Sequence, residues 1–111
     1  MTVGELIVDF DLHSYNPGVG EDRLVTGGHI GDLLSHVMAN CQLGDVWITI
    51  LTNLNTIAVA SLVDAACIIL PQGIIPEAQV LKKASDEGIP ILGSPLSAFT
   101  LCGKLASRLE A

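Results

Sequence analysis

Apolar residues occur along this chain in two patterns: short unbroken runs, and stripes at helical spacing between them. The runs are Val46-Trp47-Ile48-Thr49-Ile50-Leu51, Cys67-Ile68-Ile69-Leu70 and Pro90-Ile91-Leu92. Unbroken runs of this length predict strands buried on both faces of a sheet. The first stripe is Leu33, Leu34, Val37, Met38 and Cys41, on one face of a helix beginning near Asp32, whose carboxylate suits an N-cap. Gly44 lies just past its expected end. A second helix over 55–65, capped by Asn53 or Asn55, carries Ala58, Ala60, Ser61 and Ala65, small enough for close approach to a neighbour. Pro76 suits the first turn of a third helix ending before Gly88, whose narrow stripe of Val80, Leu81 and Ala84 places it on the surface. Ser94-Pro95 opens the last helix, with Ala98 or Phe99, Cys102, Leu105 and Leu109 inward.

The N-terminal third is less regular. Thr2 and Glu5 have capping-box spacing, predicting a short helix over 3–9. An extended piece over 12–15 follows, then turn chemistry at Asn16-Pro17-Gly18. Residues 24–30 read as extended but irregular because of Gly27 and Gly28. Strands alternating with helices predict right-handed crossovers and a mainly parallel sheet in a three-layer α/β fold. At 111 residues the chain fits one domain spanning 1–111. No internal repeat, linker or low-complexity segment interrupts it.

Composition narrows the function classes. Half of the residues are hydrophobic and 15% are charged, which excludes disorder. So much apolar content in a small domain points to a self-associating surface, most simply a two-fold homodimer. The net charge of −7 leaves no basic stripe for nucleic acid or an anionic membrane surface. The stretch from Thr56 to Ile75 is almost wholly apolar, but Asp64 and Pro71-Gln72-Gly73 interrupt it, so it reads as a buried helix and strand rather than a membrane span. The N-terminus has no secretory signal pattern. Cys41, Cys67 and Cys102 are an odd set of thiols without close pairing. The expectation is a soluble cytoplasmic domain.

Two segments carry candidate chemistry. Thr26-Gly27-Gly28-His29-Ile30-Gly31-Asp32 brings three glycines to a helix start, where backbone N–H groups attract anions. It reads either as a structural turn or as a ligand loop. In open parallel sheets ligands bind beyond the carboxyl ends of strands. Those ends carry Thr52, Asn53 and Asn55, then Pro71-Gln72-Gly73, then Ser94 and Ser97. Ordinary capping is the alternative job for Asn53, Asn55 and Ser94. His36 follows Asp32 by four residues, so the two suit one helix face. No third ligand accompanies them, and no metal site is expected. Asp9 and Asp11 suit an acid/base pair or turn capping, and the cysteines sit at inward positions where thiols are inert. There is no phosphate loop, no nucleophile elbow, no H-E-x-x-H and no C-x-x-C. No catalytic residue and no cofactor is expected.

Asp22-Arg23 followed, after Leu24-Val25, by Thr26-Gly27-Gly28 gives these glycines a wider context. Together with Gly31-Asp32-Leu33-Leu34-Ser35, Gly44-Asp45-Val46-Trp47-Ile48-Thr49, Ala58-Val59-Ala60-Ser61-Leu62, Gly88-Ile89-Pro90-Ile91-Leu92 and Pro95-Leu96-Ser97-Ala98-Phe99, the chain resembles the DRTGG domain family over nearly its whole length. The resemblance implies the α/β fold of the N-terminal domain of HPr kinase/phosphorylase. It also implies kinship with regulatory inserts beside CBS domains and with the N-terminal part of some phosphotransacetylases. Such domains commonly self-associate and accompany a partner enzyme. The motif maps to Asp22, Arg23, Thr26, Gly27 and Gly28, and the family carries no settled catalytic residues. Kinase activity is not expected, since the catalytic domain and its phosphate loop are missing from this sequence. The expected function is a non-catalytic regulatory domain that binds a small anionic metabolite or nucleotide, with Arg23 either pairing with the anion or held in a surface salt bridge. The alternative is a protein-interaction or dimerisation module; a small enzyme is the third reading.

Overall fold

A computed structural model of the protein describes residues 1–110. Its elements run α1 (Val3–Asp9), β1 (His13–Ser14), β2 (Gly27–Ile30), α2 (Leu34–Asn40), β3 (Asp45–Ile48), α3 (Leu54–Val63), β4 (Cys67–Leu70), α4 (Ala78–Asp86), β5 (Ile91–Gly93) and α5 (Ala98–Leu109). Among the described residues the strands form one sheet in the order β1-β5-β4-β3-β2. β2 through β5 are parallel, while β1 pairs antiparallel with β5. This is the expected mainly parallel α/β architecture.

Strand pleating divides the apolar runs between two cores. Val46, Ile48, Cys67, Ile69 and Leu92 face α1 and α5, where Val3, Leu6, Leu101 and Leu105 are buried. Trp47, Ile68, Leu70 and Ile91 face the other way and pack with Val37, Ile57, Val80 and Ala84 from α2, α3 and α4. Helices thus cover both faces, which is why the strands show no polar alternation. The capping box of α1 forms as its spacing predicts: Glu5 N–H donates to Thr2 Oγ1 at 3.2 Å, and Thr2 N–H to the Glu5 carboxylate at 3.0 Å.

Element boundaries depart from the sequence reading in five places. Asp32 does not cap α2; Leu33 stands at the cap without a side-chain bond. The Asp32 carboxylate instead accepts from Thr49 Oγ1 at 2.8 Å and Ile50 N at 3.0 Å, tying the β2 exit to the end of β3. α2 therefore buries Val37 and half-buries Leu34, while Leu33 and Met38 face solvent. Gly44 belongs to the turn before β3, with φ at 85°, and not to the end of α2, which closes at Cys41. β3 stops at Ile48, leaving Ile50 exposed. Pro76 lies ahead of α4, whose cap is Glu77. α5 starts at Ala98 behind Ser97, with Leu101 and Leu105 buried and Phe99 89% exposed.

A strap over 15–25 crosses the sheet edge and is held by a buried side chain. Asn16 is 7% exposed. Its Oδ1 accepts from Ile91 N at 2.9 Å, and its Nδ2 donates to Ile89 O at 2.9 Å. An amide that both gives and takes hydrogen bonds extends the β1 ladder along β5 as a backbone residue would. Tyr15 beside it lies over Gly93, where an added Cβ would come within 2.7 Å of the ring, so Gly93 is required for close approach.

Candidate functional site

The ten sequence candidates fall at opposite ends of the sheet. Gly27 pairs with Asp45 at the amino ends of the parallel strands, and Asp22, Arg23 and Thr26 precede it there. Thr52, Asn53 and Asn55 follow β3, and Ser94 and Ser97 follow β5, at the carboxyl ends. Gly28 borders one recess, and Thr52, Asn53 and Asn55 line a separate depression.

At the amino end the motif forms a clasp. Arg23 Nη2 donates to Asp64 Oδ1 at 2.7 Å and to Ala65 O at 3.1 Å, joining the strap to the end of α3. Thr26 N–H donates to Gly44 O at 2.9 Å and its hydroxyl to Leu43 O at 3.3 Å. A Cβ on Gly27 would stand 2.7 Å from the Asp45 carboxylate, and that carboxylate also accepts from Gln42 N at 2.8 Å. Asp22 is exposed. Gly28 differs: the nearest atom to an added Cβ is Val46 O at 3.8 Å, and the residue borders an apolar recess under α5.

At the carboxyl end the candidates do meet. Thr52, Asn53 and Asn55 line a depression of about 570 Å³ together with Ile50, Glu77 and Gln79, between the starts of α3 and α4. Asn53 caps α3 by accepting from Thr56 N at 3.1 Å, while α4 has no side-chain cap. The start of α4 borders the depression and its first-turn N–H groups have no side-chain capping oxygen, a setting that favours negative charge. Glu77 and Gln79, bonded to each other at 3.2 Å, were missed in the sequence reading, which began this helix at Pro76.

The β4/β5 crevice is closed. α4 follows β4 on one face and α5 follows β5 on the other, so the connections diverge there. Gln72 N donates to Leu96 O at 2.9 Å and Gly73 N to Ser94 O at 3.0 Å, stitching the two loops together. Ser94 is buried and accepts from Leu96 N at 3.1 Å, and Ser97 caps α5 through Thr100 N at 3.2 Å. Both serines are therefore engaged locally.

The remaining titratable groups lie apart. His36 stacks on His29, with centroids 5.8 Å apart, rather than meeting Asp32. Asp9 pairs with Arg108 at 3.0 Å. Burial pushes the Cys67 thiol up to about 12. Burial, then the Asp45 carboxylate, raises Cys41 to about 11. Among the described residues no three His, Cys, Asp or Glu side chains cluster as metal ligands would. No described helix is long and apolar enough to cross a membrane.

Two helical layers over a five-stranded, mainly parallel sheet, with a polar depression at the strand ends, define a three-layer α/β domain. It resembles a solved structure of the CBS and DRTGG domains of the regulatory region of Clostridium perfringens pyrophosphatase, complexed with the activator diadenosine tetraphosphate. The TM-score is 0.69 at 19% identity, covering 97% of this chain and 45% of that one. The chain thus spans less than half of that regulatory structure and shares its fold. No protein-family model matches the chain. No curated protein matches it either.

Proposed function

We propose that this chain is a non-catalytic, DRTGG-type regulatory domain that senses a small anionic metabolite, of which a nucleotide is the leading class, and works as a homodimer beside a partner enzyme. The observation that carries the ligand reading is the carboxyl-end depression, where Thr52, Asn53 and Asn55 meet the uncapped start of α4. Phosphate oxygens suit backbone N–H groups and hydroxyl and amide donors there. The likeness to a regulatory region complexed with a nucleotide activator supports the same reading. Glu77 sets a limit on it, because its carboxylate opposes an anion unless it turns toward solvent, where it is exposed. Arg23, tied to Asp64, serves as a clasp in this reading rather than as the anion's partner.

The test is a thermal-shift and calorimetric screen of adenine nucleotides, dinucleoside polyphosphates and phosphorylated metabolites. A ligand at a hundred times its Kd stabilises the native state by about 2.7 kcal/mol, a clear rise in Tm. Thr52→Val and Asn55→Ala should remove the rise, and Arg23→Ala should leave affinity intact. Silence across the panel at millimolar ligand would sink the sensing role. It would favour the second reading, a dimerisation or protein-interaction module, for which the exposed Leu24, Leu33, Leu43 and Phe99 speak.

A further inference from the structure

We infer that β2 is the dimer edge, with two copies pairing antiparallel about a two-fold axis at His29, so that Gly28 of each lies opposite Ile30 of the other. The inference rests on the homodimer reading above and gives it a surface and a register.

The two edges of the sheet are unlike. β1 is two residues long, a length that itself protects an edge. β2 is four residues, Gly-Gly-His-Ile, with no lysine, proline or charge to blunt it. Gly31 N donates inward to Ile48 O at 3.3 Å. Alternation along the strand then turns the N–H and C=O of Gly28 and Ile30 outward, where an antiparallel partner exchanges both bonds with each.

Side-chain shape selects a second copy as the occupant. Gly28 and Ile30 sit beside Val46 and Ile48, on the α5 face. Ile30 is 51% exposed, whereas Gly28 leaves a notch with no atom closer than 3.8 Å to an added Cβ. Behind the notch lies the apolar recess of about 170 Å³, walled by Leu105, Ala106 and Leu109. An apolar cavity of about 150 Å³ takes a benzene-sized group, so an isoleucine side chain has room. With His29 opposite itself, the second copy's Ile30 fills the notch at Gly28, and symmetry repeats the fit. The interface is small, toward the lower end of about 1,200 Å², so a micromolar dimer is expected.

Sedimentation velocity from about 1 to 500 μM, spanning the weak range expected of so small a contact, provides the test, with Trp47 fluorescence confirming the fold of each variant. The wild-type chain should shift from monomer to dimer with concentration. Ile30→Lys places a charge on the edge, and Gly28→Ile fills the notch. Each should weaken association at least about tenfold, the effect of 1.4 kcal/mol. Gly28 has no positive φ, so isoleucine fits its backbone. Combining Gly28→Ile with Ile30→Gly exchanges large and small, and should restore the dimer. A wild-type chain monomeric throughout overturns this inference and the homodimer reading together, leaving the edge to a different partner. A dimer indifferent to both single variants, or no recovery in the double variant, overturns the edge pairing while the homodimer reading stands.

Discussion

Replacing Asn16 by alanine tests how much of the fold hangs on one buried amide. The substitution leaves Ile91 N–H without its 2.9 Å acceptor and Ile89 C=O without its 2.9 Å donor, at a site only 7% exposed. It also removes a weaker contact to Ser85 Oγ at 3.3 Å. A stranded buried N–H costs about 1–3 kcal/mol, and an under-satisfied carbonyl adds a smaller amount. The expected loss is about 2–4 kcal/mol, a large share of the 5–15 kcal/mol that holds a domain together. At about 4 °C or more per kcal/mol for a chain of this size, Tm should fall by roughly 10–20 °C. Urea unfolding followed by Trp47, the one tryptophan and fully buried, reads the loss as a lower midpoint at constant slope. Asn16→Asp keeps the bond from Ile91 but sets a carboxylate against the Ile89 carbonyl, and should cost at least as much as alanine. Asn40→Ala, which removes an exposed amide bonded to His36 O, is the control, expected to stay within about 0.5 kcal/mol. If Asn16→Ala cost no more than Asn40→Ala, the account of the strap as a surrogate strand would be wrong.

Three further outcomes follow from the geometry. Gly27→Ala drives a methyl toward the Asp45 carboxylate and should destabilise by about 1–3 kcal/mol, while Gly28→Ala, facing open space, should change stability by under about 0.5 kcal/mol in dilute urea titrations. The backbone N–H and hydroxyl of Thr2 hold the Glu5 carboxyl below its ordinary value. The stability this bond contributes is present above the unfolded value of about 4.3 and disappears as pH falls through the lower folded one; Glu5→Gln should flatten that acid limb in urea midpoints taken from pH 3 to 6. Thiol titration of the native protein at pH 8 should modify Cys102 first, since it is half-buried, and reach Cys41 and Cys67 only with unfolding; rapid native labelling of Cys67 would contradict its burial.

Much of the architecture was legible because local physics and tertiary demand coincide. Cys67–Leu70 is a strand in both readings, since four consecutive apolar β-formers have no exposed face to offer. The Thr2/Glu5 capping box and the Asn53 cap are local too, closed by atoms three residues apart. The candidate site was only partly legible. Thr52, Asn53 and Asn55 sit at a strand end, which the order of elements predicts, but their neighbours Glu77 and Gln79 arrive through the folding of a later loop.

What the chain order determined by itself is the set of elements and the parallel sheet, because hydrophobic periodicity and caps act over a few residues. Tertiary structure alone decided which polar groups are engaged. Asp32 looked like a cap and became a cross-strand tie to Thr49, because β3 presents a hydroxyl and an N–H at the distance its carboxylate reaches. Arg23 and Asp64 are 41 positions apart and meet only when the strap folds over the end of α3. Asn16 looked like a turn residue, and its bonds to Ile89 and Ile91 span more than 70 positions. Such pairings have no signature in sequence spacing, since a side chain's partner is set by the path of the whole backbone and not by its neighbours along the chain.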